Sequence, residues 1–289
     1  MSKKRIKKML TNHTSFIPKP QRYKLLRYLI RIPDPPDDIT FQTAESSRDR
    51  DAAFALLYDV YRKKNLTAPC PSKKRITIYH SLASTVILVA KQHDDVVATV
   101  SVIKDDRFGM PSQDLVDPDP FRIPGKCLAE VSSLALRGDL HGQCPAVMFY
   151  LSKYLFKFSR EHFGVDRFII SFHPGQLALY EGVFLFKPLH ARTFEQYEFA
   201  NNAPAVCATS NLETVESRFR KVYGNAAPRR NLYHFFFKAF TAKEAACMRF
   251  PDPAPPVQHP PVPAPFFPNR TRPGMRPYHR QAVSSTPKQ

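Results

Sequence analysis

Two consecutive stretches decide the fold: Leu128-Ala-Glu-Val-Ser-Ser-Leu-Ala-Leu136 and Arg137-Gly-Asp-Leu-His-Gly-Gln-Cys-Pro145. The first is apolar and strand-like except for one carboxylate, and it predicts a strand over 127–136. A buried carboxylate is costly unless it has a partner. Glu130 therefore marks an ion pair or an edge position, or else a base or an anchor for a substrate amine. Strict alternation would put Leu128, Glu130, Ser132 and Leu134 on one face, and Ala129, Val131, Ser133 and Ala135 on the other. The second stretch reads as a turn, with Pro145 suited to the first helical position of a helix running to about residue 163. A strand–loop–helix unit can offer backbone N–H groups to a phosphate, which makes Arg137, Gly138, His141 and Gly142 the candidate donor-phosphate loop. Only two glycines and a proline without an N–H make it a poor one.

Outward from this unit, β- and helix-like patterns alternate. Upstream, 39–43 reads as a strand. A helix over 47–64 follows, with Phe54, Leu57, Tyr58 and Tyr61 on one stripe. The β-rich runs 84–91 and 96–104 flank Gln-His-Asp-Asp as a hairpin. Residues 107–126 hold four prolines and form a loop too long to be idle. Downstream, 166–172 is a strand ending at His173-Pro174, with a short helix near 177–181. Further strands fit 184–189, 203–209 and 233–237, and a helix fits 211–223. This order predicts an α/β fold, which alone does not define function. A tyrosine near strand ends can protonate a leaving thiolate, but for Tyr180 spacing alone favours ordinary packing.

The ends differ from the middle. Residues 1–33 carry ten Lys/Arg and no acid, and a short helix is expected over 21–31, with Leu25, Tyr28, Leu29 and Ile32 on one face. Packing on the domain is the favoured reading; contact with an acidic partner or an anionic membrane surface is the sharper one. Residues 251–289 contain twelve prolines and are expected to be an extended or disordered tail. The middle holds 28 bases against 24 acids, so the net charge of +18 lies mainly in the ends, and a specific nucleic-acid function is not expected. The three expected segments are a basic arm over 1–38, a domain over 39–250 and the tail over 251–289. Five scattered cysteines without CxxC spacing read as free thiols in a reducing compartment. No apolar run has membrane-span length and no signal-peptide pattern follows the basic start, so a cytoplasmic location is expected. The histidines show no ligand spacing, and no metal is expected.

Several stretches occur in one order: Tyr58 to Tyr61, Ala98-Thr-Val-Ser-Val-Ile-Lys-Asp-Asp106, Gly109-Met-Pro111, Ala129-Glu-Val-Ser-Ser-Leu-Ala135 and Pro174…Tyr180…Phe186. That set resembles the GNAT superfamily and, more closely, the N-acyl amino acid synthases, with acyl-homoserine lactone synthases further off. The resemblance covers roughly 39–210. It implies a mixed, mostly antiparallel sheet flanked by helices. It also implies transfer of a long-chain acyl group from a thioester to the α-amine of an amino acid. Carried onto this chain, Glu130 would be the base and Tyr180 the acid for the thiol. Ser101, Ser132, Ser133, Leu134 and His173 would contact substrate, and Val100, Val102, Phe168 and Ile170 would help wall the acyl groove. No bound cofactor is implied. The donor would be acyl-phosphopantetheine on an acyl carrier protein, or acyl-CoA, and the glycine-poor loop favours the carrier.

Departures from the pattern matter. Leu185 stands where the superfamily usually has glycine. Ser101 and Ser133 stand where lactone synthases carry arginine, which argues against lactone synthesis. A lactone synthase-like enzyme, a CoA-dependent acetyltransferase and a non-catalytic nucleic-acid-binding protein on the same fold remain the alternatives.

Overall fold

The computed structural model describes residues 18–140 and 142–251. The proline-rich tail and the first seventeen residues of the basic arm lie outside the described residues, as does His141. The sheet contains β1 (Ile39–Thr43), β2 (Thr85–Gln92), β3 (Asp95–Lys104), β4 (Leu128–Leu136), β5 (Arg167–Phe172), β6 (Lys187–Pro188) and β8 (Ala203–Asn211), in the order β1-β2-β3-β4-β5-β8-β6. A further strand, β7 (Phe194–Tyr197), pairs with β8. Only β4 and β5 run parallel; the other pairs are antiparallel. This is the mixed, mostly antiparallel sheet that the resemblance implied.

Helices cover both faces. On one side lies α2 (Ser47–Lys63), reached from α1 (Lys19–Leu29) through β1. Ser46 caps α2 by accepting from Asp49 N at 3.0 Å, and Ala53 and Phe54 pack on Ile87, Val89 and Val96. On the other side lies α3 (Cys144–Glu161), whose Val147, Leu151 and Tyr154 pack on Leu88, Ala90, Val100 and Val102. With both faces covered, β2 and β3 are apolar on both sides. That is why they read as continuous hydrophobic runs and not as alternations. The remaining helices are α4 (Leu177–Gly182), α5 (Val215–Tyr223), α6 (Leu232–Phe237) and α7 (Ala242–Cys247).

Three local expectations are corrected. The run 233–237 is helical, not a strand: Asn231 caps it by accepting from His234 N at 2.9 Å, and Tyr233, Phe235 and Phe236 all enter the main core. Burial on several sides there overrides aromatic β-propensity. Of the strand expected over 184–189, only Lys187–Pro188 pairs. The third concerns α1, which does not bury the expected face. Leu26 is buried, whereas Leu25 and Tyr28 are exposed. The helix is turned by polar anchors to α4: the Tyr23 hydroxyl donates to Glu181 at 2.7 Å, and Arg27 Nε to the Gly182 carbonyl at 2.6 Å. Periodicity cannot show such anchors.

Candidate active site

The site is built where β4 and β5 part. Their parallel ladder runs from Leu128 opposite Arg167 to Val131 opposite Ile170 and then stops. On its other edge β4 carries a bulge: Thr99 pairs with Ala135 and Ser101 with Ser132, so Ser133 and Leu134 both stand against Val100. Ser133 takes φ +57°, a left-handed conformation uncommon outside glycine. The bulge overturns the strict alternation read from sequence. Ser133 joins Glu130 on the α2 side, whereas Leu134 packs with Val131 and Leu136 towards α3.

A cavity of about 760 Å³ passes through this gap. Its wall includes Ser132, Ser133 and Leu134 from β4, and Phe168, Ile170 and Ser171 from β5. Tyr61 and Phe199 line it on the α2 side; Leu151, Phe219 and Phe236 line it on the α3 side. The α3 end is mostly apolar, whereas the α2 end mixes apolar side chains with the polar groups of Tyr61, Lys64, Ser133, Ser171 and Tyr197. Two reagents can therefore approach one gap from opposite faces of the sheet. Of the expected groove walls, Val100, Phe168 and Ile170 take part, but Val102 is fully buried in the main core and does not.

Glu130 has no exposed surface. Its Oε2 accepts from Ser112 N at 2.7 Å and its Oε1 from the Ser171 hydroxyl at 3.3 Å. Burial pushes its carboxyl up to about 7, against the opposing effect of those two hydrogen bonds. It reaches the cavity through Ser171, which lies on the wall. The proline-bearing loop has its task here. Gly109, at φ +70°, turns the chain so that buried Met110 and the turn Pro111–Asp114 deliver the Ser112 N–H to the carboxylate.

Beside it, His80 is fixed in one tautomer. Its Nδ1 accepts from Thr77 N at 3.1 Å, and a backbone N–H can only donate. The proton of the neutral ring is therefore on Nε2, which faces the Ser133 hydroxyl at 3.3 Å and that of Ser101 at 3.4 Å. Burial, aided by the charge of Arg75, pushes the imidazole down to about 4, so it stays neutral near pH 7. That single Nε2–H can be given to either hydroxyl; given to Ser133, it leaves the Ser133 hydroxyl to donate its own proton into the cavity. Ser101 and Ser133 thus meet at one imidazole.

The remaining expected site residues divide. Ser132 and Leu134 line the cavity; Ser101 lies behind Ser133 and does not. His173 is on the wall, with its Nδ1 accepting from Gly175 N at 3.1 Å. Tyr180 also lines the cavity, its ring 4.4 Å from that of Phe172, and burial pushes its phenol up to about 12, so it keeps its proton. In the loop, Arg137 pairs with Asp139 at 2.9 Å, Gly142 takes φ +90°, and neither they nor Gly138 line the cavity. His141 is not described. Near the helix start, Gln143 N is bound to Leu140 O and Val147 N to Gln143 O, leaving few N–H groups for an anion. Sequence reasoning missed His80, Ser171, Tyr197 and Arg75. Leu185 takes φ +58°, a backbone conformation that glycine adopts more readily than leucine.

Comparison with known proteins bears on this geometry. The family model for N-acyl amino acid synthase FeeM matches residues 52–211, more than half of the chain. No curated protein sequence gives a significant match. Among solved structures, FeeM, an N-acyl amino acid synthase from uncultured soil microbes, is 21% identical with a TM-score of 0.53, covering 62% of this chain and 93% of that one. The acyl-homoserine lactone synthase LasI is 12% identical at a TM-score of 0.43, covering 60% and 89%. ElaA of Escherichia coli is 16% identical at 0.41, covering 60% and 99%.

Proposed function

The chain belongs to the FeeM N-acyl amino acid synthase family and is an N-acyltransferase, and from that premise we propose that it moves a long-chain acyl group from an acyl carrier protein to the α-amine of an amino acid. The observation that carries this reading is the cavity itself. Its apolar end can house an acyl chain, and its polar end lies beside a carboxylate poised near neutrality.

The acyl-phosphopantetheine enters the β4–β5 gap from the α3 side, with its tail against Phe219 and Phe236 and its thioester carbonyl at Ser132–Leu134. The amine arrives from the α2 side. Its nitrogen attacks the carbonyl carbon, and the proton it loses passes through Ser171 to Glu130. The oxyanion accepts from the Ser133 hydroxyl, held in that direction by His80, and from unpaired backbone of β4. On collapse the C–S bond breaks and the sulfur leaves as a thiolate, which takes its proton from solvent; Tyr180, which keeps its own proton, donates a hydrogen bond to the departing sulfur. A single phosphate on the carrier arm suits the donor-poor loop before α3 better than the pyrophosphate of CoA. A carrier-protein donor implies a cytoplasmic reaction.

Mass spectrometry of lipid extracts from cells making the protein, beside cells making the Glu130→Gln variant, tests this. New N-acyl amino acids are expected only with the unaltered protein. Equal amounts from both would remove Glu130 from the reaction. Absence from both, with folded protein and charged carrier present, would overturn the acceptor or donor assignment.

A further inference from the structure

Arg75, 8% exposed, is a buried cation without a carboxylate partner among the described residues. Its backbone N–H is tied to the Phe54 carbonyl at 3.1 Å, and its Nη2 donates to the Phe199 carbonyl at 2.5 Å. The guanidinium carbon lies 5.0 Å from the centroid of the Tyr61 ring and 4.7 Å from that of Phe199, both rings of the cavity wall. Nε and Nη1 are buried with no hydrogen-bond partner. An unpaired buried charge with two idle donors is expensive, and a fold keeps one where a ligand supplies the missing partner. Arginine's fork suits a planar, bidentate anion such as a carboxylate.

The position fits one end of a zwitterion. Tyr61 and Tyr197, both on the cavity wall, are each near enough to Arg75 and to Glu130 to feel both charges. The wall at the α2 end of the cavity therefore has a positive group and a negative one close behind it. An α-amino acid laid along it puts its carboxylate towards Arg75 and its ammonium towards Ser171 and Glu130.

Resting on the amino-acid acceptor proposed above, we propose that Arg75 is the carboxylate-binding residue of the acceptor site. The turn Glu198–Ala200 covers the guanidinium, and Phe199 swings aside as the carboxylate enters. Free α-amino acids are then substrates. Their amides and esters are poor substrates, because a single carbonyl oxygen cannot satisfy both Nε and Nη1 as a carboxylate does and brings no charge.

The test compares an amino acid with its α-amide as acceptors, with an acyl carrier protein donor and mass-spectrometric product detection. The unaltered enzyme should favour the acid by about 100-fold in kcat/KM, as expected when one buried charged donor is left without a partner. In Arg75→Gln that ratio should collapse to within about 3-fold, chiefly through a higher KM for the acid. Retention of the ratio in the variant, or no preference in the unaltered enzyme, overturns the role of Arg75 while leaving N-acyl amino acid synthesis intact. Turnover of simple amines with no turnover of amino acids overturns both. If Arg75→Gln does not fold, Arg75→Lys and the thermal shift of the unaltered protein decide. Stabilisation by the amino acid and not by its amide supports the site, and equal shifts refute it.

Discussion

At the scale of single residues, Glu130 carries two linked consequences. Its carboxyl sits near 7 in the folded protein against 4.5 when free, so it takes up a proton on folding between those values. A group whose folded pKa is raised favours the folded state fully below the unfolded value and loses that contribution as pH rises through the folded value. Stability should therefore fall between about pH 4.5 and 7 on account of Glu130, while the role proposed for Glu130 as base predicts activity rising through about 7. The Glu130→Gln variant keeps an acceptor for Ser112 N at this position and cannot ionise there. Thermal melts should show the variant more stable than the unaltered protein by about 1–3 kcal/mol at pH 8, with little difference at pH 4.5. Equal stability at both values would mean that the carboxylate is better solvated than its burial indicates. Glu130 stood out in the sequence because a charge in an apolar strand is conspicuous on its own. Its partners did not: Ser112, Ser171, His80 and Arg75 gain meaning only from contacts with residues distant along the chain, which spacing does not reveal.

At the scale of elements, the long periodic pieces were legible and the devices that modify them were not. The β1 strand, α2, the β2–β3 hairpin, β4 and α3 follow from apolar period and turn residues. The bulge at Ser133–Leu134 obeys no local signal, since serine is an unusual choice for φ +57°. Helix α7 was also unread, and its placement rests on one buried pair. Lys153 of α3, 1% exposed, holds Glu244 at 2.5 Å, with Phe235 and Phe240 rings at 4.8 and 4.9 Å from the ammonium. Glu244 also accepts from Thr241 N at 2.8 Å, closing the capping box of α7. Lys153→Met alone strands a buried carboxylate and should cost about 3–5 kcal/mol in urea unfolding. Adding Glu244→Gln, which keeps the cap without the charge, should recover at least half of that loss. An additive double variant would show that the two side chains act independently.

At the scale of the whole molecule, charge placement relates α1 to the site. The helix carries Lys19, Arg22, Lys24 and Arg27 and no acid, and Lys19 meets Glu181 at 2.7 Å. It sits on α4, the helix that follows the cavity-lining His173 and Gln176. Its outer surface presents exposed Lys24, Leu25 and Tyr28, with the Arg230 guanidinium 4.0 Å from the Tyr28 ring centroid. Leu25 and Tyr28, half of the face that the sequence assigned to burial, are thus turned outward while Ile32 packs against the main core, and the outward part offers mixed basic and apolar contacts beside α4. An acidic carrier protein bound there would hold its phosphopantetheine arm near the gap. Such attraction acts on association and weakens with salt. A double variant of Lys24→Glu and of Arg31→Glu, the latter at an exposed position two residues beyond the helix, should raise KM for the acyl carrier protein proposed as donor by about 10-fold and flatten its salt dependence. Turnover of a short acyl-pantetheine thioester, which has no carrier surface to dock, should not change. An equal rise in KM for both donors would place the effect inside the cavity and remove α1 from carrier recognition.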